Sequence, residues 1–333
     1  MNLINKFKEL NKPLIIAEIG NNHEGSFDNA IKLINAAKKS GVNAVKFQTY
    51  KPELYYTQSE KDRIKKLSKF QLSYEEFYKL SKYAKKQKLI FISTPFDLES
   101  LDFLKNIVDI IKISSGDNNF SELILSSIKS RKELIISTGL TSLKEIKNLI
   151  YFIKKNNYSK KTYLLHCVAN YPVAPEDANL NFLLELKSIF KENYGYSDHT
   201  IGIDACVISY LLGAKIIEKH FTLNKSFSSF RDHAISADPK DMKNLVDKIN
   251  SYKVLLTNKK NNYLKCENKE RILLRRSLYA NKNIKKNYIL TKEDIVALRP
   301  GKGIPPNNKS LILSKKTKKK LKKGSILKLV NFY

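Results

Sequence analysis

The run Leu14–Gly25, LIIAEIGNNHEG, carries an apolar, strand-like stretch straight into Glu18 and then into a polar, glycine-flanked turn. A carboxylate at the end of a buried strand is costly unless it is paired or ligated. Lys46 interrupts AVKF and Lys112 interrupts IIKIS in the same way. A lysine buried in such a run must meet an anion or lose its charge; the alternative is a stem that snorkels its ammonium to the surface. Gln48, Ser93, Thr94, Ser114, Ser115, Ser137, Thr138, His166 and Ser197 also stand where apolar runs end. Together with the two lysines, the hydroxyls make a cradle for phosphate and carboxylate groups. His199 of YSDHT and His220 of EKHF end neighbouring runs. Two imidazoles can share one divalent ion and leave positions for water and substrate, with Asp198 or Glu218 as an orienting partner. Hydrogen-bonded structural histidines fit the same spacing. His23 either orients Glu18 or holds its own loop.

The elements that must position these groups are read from periodicity. Apolar runs at 14–20, 43–49, 89–94, 109–115, 133–139, 162–168, 194–199 and 214–221 alternate with amphipathic stretches such as SFDNAIKLINAAKKSG and TSLKEIKNLIYFIKKN. The first set predicts strands, the second helices. Thr141 and Glu145 mark a helix start, and 238–256 reads as a helix after the last strand. Eight such units predict a (β/α)₈ barrel, whose active site lies at the C-terminal strand ends. A doubly wound open sheet is the competitor, and the even spacing favours closure. The barrel spans 1–256, a polar linker 257–272, and a small, mainly β domain 273–333.

Hydrophobic residues make up 42% of the 333, enough for a sizeable core. Three cysteines without CxxC spacing argue against a disulfide framework and for a reducing, cytoplasmic setting. No apolar run approaches the roughly 20 residues that span a bilayer, and the first residues lack the apolar core of a signal peptide. The net charge of +29 raises nucleic-acid binding, but the lysines are spread over helix faces and loops and no binding motif accompanies them. The densest cluster, Ser314–Gly324, reads as a solvated helix face with Leu321 inward.

The motifs AEIGNNHEG, VKFQTY, FISTPFD, IKISSGDNN, IISTGL, LLHCVANYP, YSDHT and EKHFTL, with LRPGKGI near the end, resemble in order those of the sialic acid synthase family and its antifreeze-like SAF domain. The resemblance covers about residues 13–330. It implies a (β/α)₈ barrel followed by the SAF domain. It also implies a divalent metal (manganese, magnesium or cobalt) and a domain-swapped homodimer in which one copy's SAF domain covers the other's barrel mouth. The implied reaction joins phosphoenolpyruvate to an N-acylated hexosamine-type aldose, giving a nine-carbon 2-keto acid and phosphate. By this resemblance His199 and His220 hold the metal. Lys46, Lys112, Ser115, Ser137 and Ser197 hold phosphoenolpyruvate. Glu18, Asp117 and His220 belong to the reacting centre, and Tyr171, Asp232 and Arg299 contact the sugar. Phe230-Arg231 replaces the family's usual Gly-Pro before Asp232, and Ala169-Asn170 also departs from some members. The acceptor therefore stays open between N-acetylmannosamine and a 2,4-diacetamido-trideoxyhexose. Rival readings are a related phosphoenolpyruvate aldol-type synthase, which would lack the SAF domain, a Schiff-base aldolase, and a basic nucleic-acid-binding protein.

Overall fold

Eight parallel strands close on themselves in sequence order: β1 Leu14–Gly20, β2 Ala44–Thr49, β3 Ile90–Pro95, β4 Ile110–Ile113, β5 Glu133–Ser137, β6 Thr162–Cys167, β7 Tyr194–Asp198 and β8 Ile216–His220. The structure is a computed structural model and describes residues 3, 4, 7, 12–191, 193–256 and 264–333. β1 pairs with both β2 and β8, so Glu18 stands beside Lys46 on one side and His220 on the other. Closure, not an open sheet, is the outcome.

Alternation along the strands separates two cores. Leu14, Ile16, Ala44, Ile92, Ile110, Ile135, Tyr163, Leu165 and Ile216 form one buried cluster with Ile4. Their register places them inside the lower barrel, a packed plug rather than a pore. The intervening residues, such as Ile15, Ala17, Val45, Phe91 and Ile136, pack outward against the helices. Ser26 caps the helix Phe27–Ser40 by accepting from Asn29 N–H, and Gly41 ends it at φ 84°. The helix expected from Thr141 begins one residue later. Ser142 is its N-cap and forms a capping box with Glu145, while the Thr141 hydroxyl donates to the Thr138 carbonyl.

The chain divides into compact units at 1–256 and 257–333. In the second, β9 (Ser277–Ala280) runs antiparallel to β10 (Ile295–Leu298). A small core gathers Leu278, Ile284, Leu290, Ile312, Leu321, Leu327 and Phe332. The expected linker lies partly outside the described residues, and a helix, Asn268–Leu274, runs across its end into the expected domain. The basic cluster 314–324 is not helical. It is a run of turns and bends tied down by isolated bridges from Lys316 to Ile289, Thr317 to Phe332 and Leu321 to Ile284. The isolated bridge to Ile284, not a helical period, turns Leu321 inward. Among the described residues no helix is long and apolar enough to cross a membrane.

Candidate active site

Each barrel-facing row changes from apolar to polar as it approaches the C-terminal rim. Ile16 is followed two residues later by Glu18, Ala44 by Lys46 and Gln48, Ile110 by Lys112, Ile135 by Ser137, Gly195 by Ser197, and Ile216 by Glu218 and His220. With a side-chain period of two, these groups stack directly above the plug. Lys46 Nζ lies 3.1 Å from Glu18 Oε2 and 3.2 Å from Glu218 Oε1. Lys112 Nζ lies 3.5 Å from the same Glu218 oxygen and donates to Ser137 Oγ at 2.7 Å. Ser197 Oγ donates to Glu218 Oε1 at 2.8 Å, and Gln48 Nε2 donates to Glu18 Oε1 at 3.2 Å. Two ammoniums and two carboxylates thus occupy a space where the lysines are only 4% and 2% exposed, so neither snorkels.

Burial sets the protonation of this cluster. It pushes the Glu18 carboxyl up in spite of Lys46. It would do the same to Glu218, but Lys112, Lys46 and Ser197 outweigh it and hold that carboxyl down to about 2. Burial draws Lys112 below its ordinary value, whereas at Lys46 the pull of Glu18 and Glu218 overrides burial and raises it. The opening turn braces the group. Asn21 Nδ2 donates to Gln48 Oε1 at 3.1 Å, and Asn22 Nδ2 donates to the Phe221 carbonyl at 2.9 Å. His23 Nδ1 accepts from Gly25 N–H at 3.1 Å, so this imidazole holds its loop.

At the rim the rings of His199 and His220 stand 5.3 Å apart. His199 Nδ1 bonds the Val168 carbonyl at 2.8 Å, which places its proton there and turns Nε2 toward the cavity side. His220 Nδ1 is buried without a partner. Burial, with His199 and Lys46 adding to it, holds the His220 pKa well below its ordinary value, so the ring is neutral. Burial opposes a proton on His199, but the Cys167 thiol, 3.8 Å from Nδ1, and the Val168 carbonyl raise its pKa. A bound cation would displace that proton. The donor set fits a divalent ion with two protein ligands, the remaining positions going to water and substrate. Among the described residues no group of three or more His, Cys, Asp or Glu is arranged as a closed metal site.

A cavity of about 640 Å³ opens above the cluster, lined by Glu18, Lys46, Lys112, Ser115, Ser137, Ser197, His199 and His220, and farther out by Tyr171, Arg231 and Asp232. Its size suits a small-molecule pair. The Tyr171 ring lies 4.1 Å from His199, tilted by 37°. Ser115 reaches in because residue 139 is glycine: a Cβ there would stand 2.6 Å from Ser115 Oγ. Asp117 is not brought in with the others. It closes the short turn Ser115–Asp117 and accepts from Ser114 Oγ. Arg299 is exposed and belongs to the C-terminal unit.

Residues 33–261 match the NeuB family, and residues 275–332 match the SAF domain. The chain belongs to the NeuB family. An uncharacterized protein of Methanocaldococcus jannaschii is 42% identical over 94% of this chain and 92% of its own length. The N,N'-diacetyllegionaminic acid synthase of Legionella pneumophila is 37% identical, again over 94% of this chain and 92% of that one. A crystal structure of N-acetylneuraminic acid synthetase from Leptospira borgpetersenii, in complex with citrate, superposes with a TM-score of 0.73 at 35% identity, covering 78% of this chain and 90% of that one. With relatives that are synthases, this NeuB-family chain is an enzyme.

Within the NeuB barrel, several polar strand residues face away from the cavity. Ser93 bonds Thr49 Oγ1 and the Phe47 carbonyl, His166 Nε2 meets the Ala178 carbonyl, and Thr138 donates to the Leu165 carbonyl. Their odd register sends them outward. Asp198 does not orient a histidine. It pairs with Lys219 at 2.9 Å and accepts from Tyr196 OH at 3.1 Å, Thr200 N–H at 2.8 Å and Cys206 Sγ at 3.2 Å. This satisfied outer network ties together the strand ends that carry His199 and His220. Sequence reasoning gave Glu218 only a role beside the histidines, and left Cys167, which also lines the cavity, out of the site. The signal for both was parity: each stands two residues beyond an inward apolar residue.

Proposed function

We propose that the enzyme condenses phosphoenolpyruvate with an N-acylated hexosamine-type aldose and water, releasing a nine-carbon 2-keto sugar acid and phosphate. The observation that carries this reading is the pair of buried ammoniums, Lys46 and Lys112, set beneath two rim imidazoles in one cavity. The synthases among its relatives support it. The phosphate and carboxylate of phosphoenolpyruvate displace the lysines' contacts with Glu218 and gain hydroxyl donors from Ser115, Ser137 and Ser197. Such fixed cations orient the reacting face without reorganising in the transition state. The enol carbon of phosphoenolpyruvate bonds to the aldehyde carbon, whose oxygen takes a proton and becomes a hydroxyl. Water adds at the phosphate-bearing carbon, the carbon–oxygen bond to phosphate breaks, and a ketone remains. Glu18, whose carboxyl burial pushes up, is placed to hold or pass the proton near the sugar.

His199 and His220 would hold a manganese, magnesium or cobalt ion, which when bound polarises the aldehyde oxygen and orients water. Tyr171 and Asp232 form the sugar end. Arg299 would reach the sugar of a second copy in a homodimer. Incubating the enzyme with phosphoenolpyruvate and a panel of aldoses, read by mass spectrometry with and without chelator, tests this. A nine-carbon acid whose formation stops on chelation is expected. Release of phosphate with no aldose present, or turnover untouched by chelation, would refute it.

A further inference from the structure

The segment ahead of Asp232 is where this chain parts from the pattern it resembles, and it is built into the outer cavity. Phe230 packs edge-to-face on Phe70 at 5.0 Å, and Lys66 stands 5.8 Å over the Phe230 ring. Arg231 lays its guanidinium 4.8 Å from the centroid of Tyr171, the ring that itself lies tilted against His199. Its Nε donates to Asp232 Oδ1 at 3.3 Å, while the side chain remains 69% exposed. The guanidinium is therefore held at one ring's thickness beyond the imidazoles, with its terminal N–H groups given no protein acceptor among the described residues. A rigid fork of this kind recognises an oxygen acceptor directionally. The same cavity is lined by Tyr55, Tyr56, Leu67 and Phe96, with the cations Arg63 and Lys66 set over the Tyr56 and Phe230 rings. Methyl groups that meet the rings gain by burial.

We propose that Arg231 is a specificity-determining residue for the acceptor, donating to the carbonyl oxygen of an acylamino group at the end of the sugar remote from the reacting aldehyde. This inference rests on the condensation reading above. It selects a deoxyhexose with two acylamino groups, whose methyls meet the aromatic wall and whose second carbonyl meets the guanidinium. A hexose with a single acylamino group offers that position only a hydroxyl.

The test compares the wild type with Arg231→Gln, Arg231→Lys and the double variant Phe230→Gly/Arg231→Pro. Steady-state kinetics use a 2,4-diacetamido-trideoxyhexose, N-acetylmannosamine and the terminal phosphate ester of the latter, each with saturating phosphoenolpyruvate. The wild type should favour the diacetamido sugar. Arg231→Gln should raise KM for it about 10- to 100-fold, the value of a charge-assisted hydrogen bond, with kcat and the KM for phosphoenolpyruvate within about twofold. Arg231→Lys should recover part of the loss, and both other variants should narrow the preference over N-acetylmannosamine. An unchanged preference would overturn the inference. So would wild-type preference for the phosphate ester, which would make Arg231 an anion site. A joint fall of kcat and phosphoenolpyruvate affinity would do the same, by making it a general support of the cavity and not a sugar contact. Failure to consume phosphoenolpyruvate with any of the three sugars would be a different result, overturning the condensation reading and this inference with it.

Discussion

Replacing Glu218 by glutamine isolates the electrostatic logic of the barrel mouth. One oxygen of Glu218 accepts from Ser197 at 2.8 Å and faces Lys46 at 3.2 Å and Lys112 at 3.5 Å. The amide keeps the shape and can still accept, but the buried set becomes two cations with only Glu18 as anion. Removing one partner of a buried ion pair costs about 3–5 kcal/mol. Lys112 keeps its bond to Ser137 and, drawn down by burial, can shed its proton, so the lower end, about 3 kcal/mol, is expected. For a domain of this size that is a fall in Tm of roughly 6–12 °C. The contribution of a carboxyl held down to about 2 is whole above its ordinary 4.5 and is lost as pH falls through 2, so the gap between wild type and variant should close in acid. Inorganic phosphate, supplying the missing anion, should raise the variant's Tm more than the wild type's. Thermal melts followed by circular dichroism, with and without phosphate, read all of this. A variant melting within about 2 °C of wild type at neutral pH, or one to which phosphate gives no extra protection, would refute the idea that Glu218 is the resident counter-ion of the two lysines.

The other predictions concern groups around the cluster. Burial lowers His23 from 6.5 to about 4. The unfolded chain therefore takes up this proton first, and about 3 kcal/mol of stability present above pH 6.5 should drain away as pH falls to about 4; His23→Gln should flatten that part of a Tm–pH profile. Lys219→Met strands Asp198 without a cation, and urea unfolding should show a loss of about 3 kcal/mol at unchanged slope. An undiminished midpoint would mean that Asp198 shares its charge adequately among Tyr196, Thr200 and Cys206. Because burial lowers Lys112, the alkaline fall of kcat/KM for phosphoenolpyruvate should begin below the ordinary lysine value of 10.5; a limb at or above it would exclude this ammonium as the group being titrated.

Much of the barrel was legible because each strand is a short apolar run ended by polar residues, and because eight such runs alternate evenly with amphipathic helices. Lys46 and Lys112 were legible for the same reason: a charge in an apolar run is conspicuous. What composition at strand ends could not separate was inward from outward. Ser93, His166 and Asp198 are as polar as Thr94, Cys167 and Ser197, and only register distinguishes them. Glu218 was undervalued since its partners come from β2, β4 and β7, far apart in sequence. The fate of Asp117 depended on the three-residue turn Ser115–Asp117, which the strand reading of 109–115 did not foresee. The basic run 314–324 was misread because exposed lysines suit a helix face and a loop alike, and bridges to Ile284, Ile289 and Phe332 decided against the helix.

The central claim is that the lysine pair and the histidine rim serve one condensation in which phosphate departs with the oxygen that joined it to carbon. The direct measurement uses phosphoenolpyruvate carrying heavy oxygen at that bridging position, an acylated aldose and divalent metal, followed by mass analysis of the released phosphate. The account predicts that phosphate retains the heavy oxygen and appears in step with a nine-carbon acid. Unlabelled phosphate, with the heavy atom left in the organic product, would contradict it.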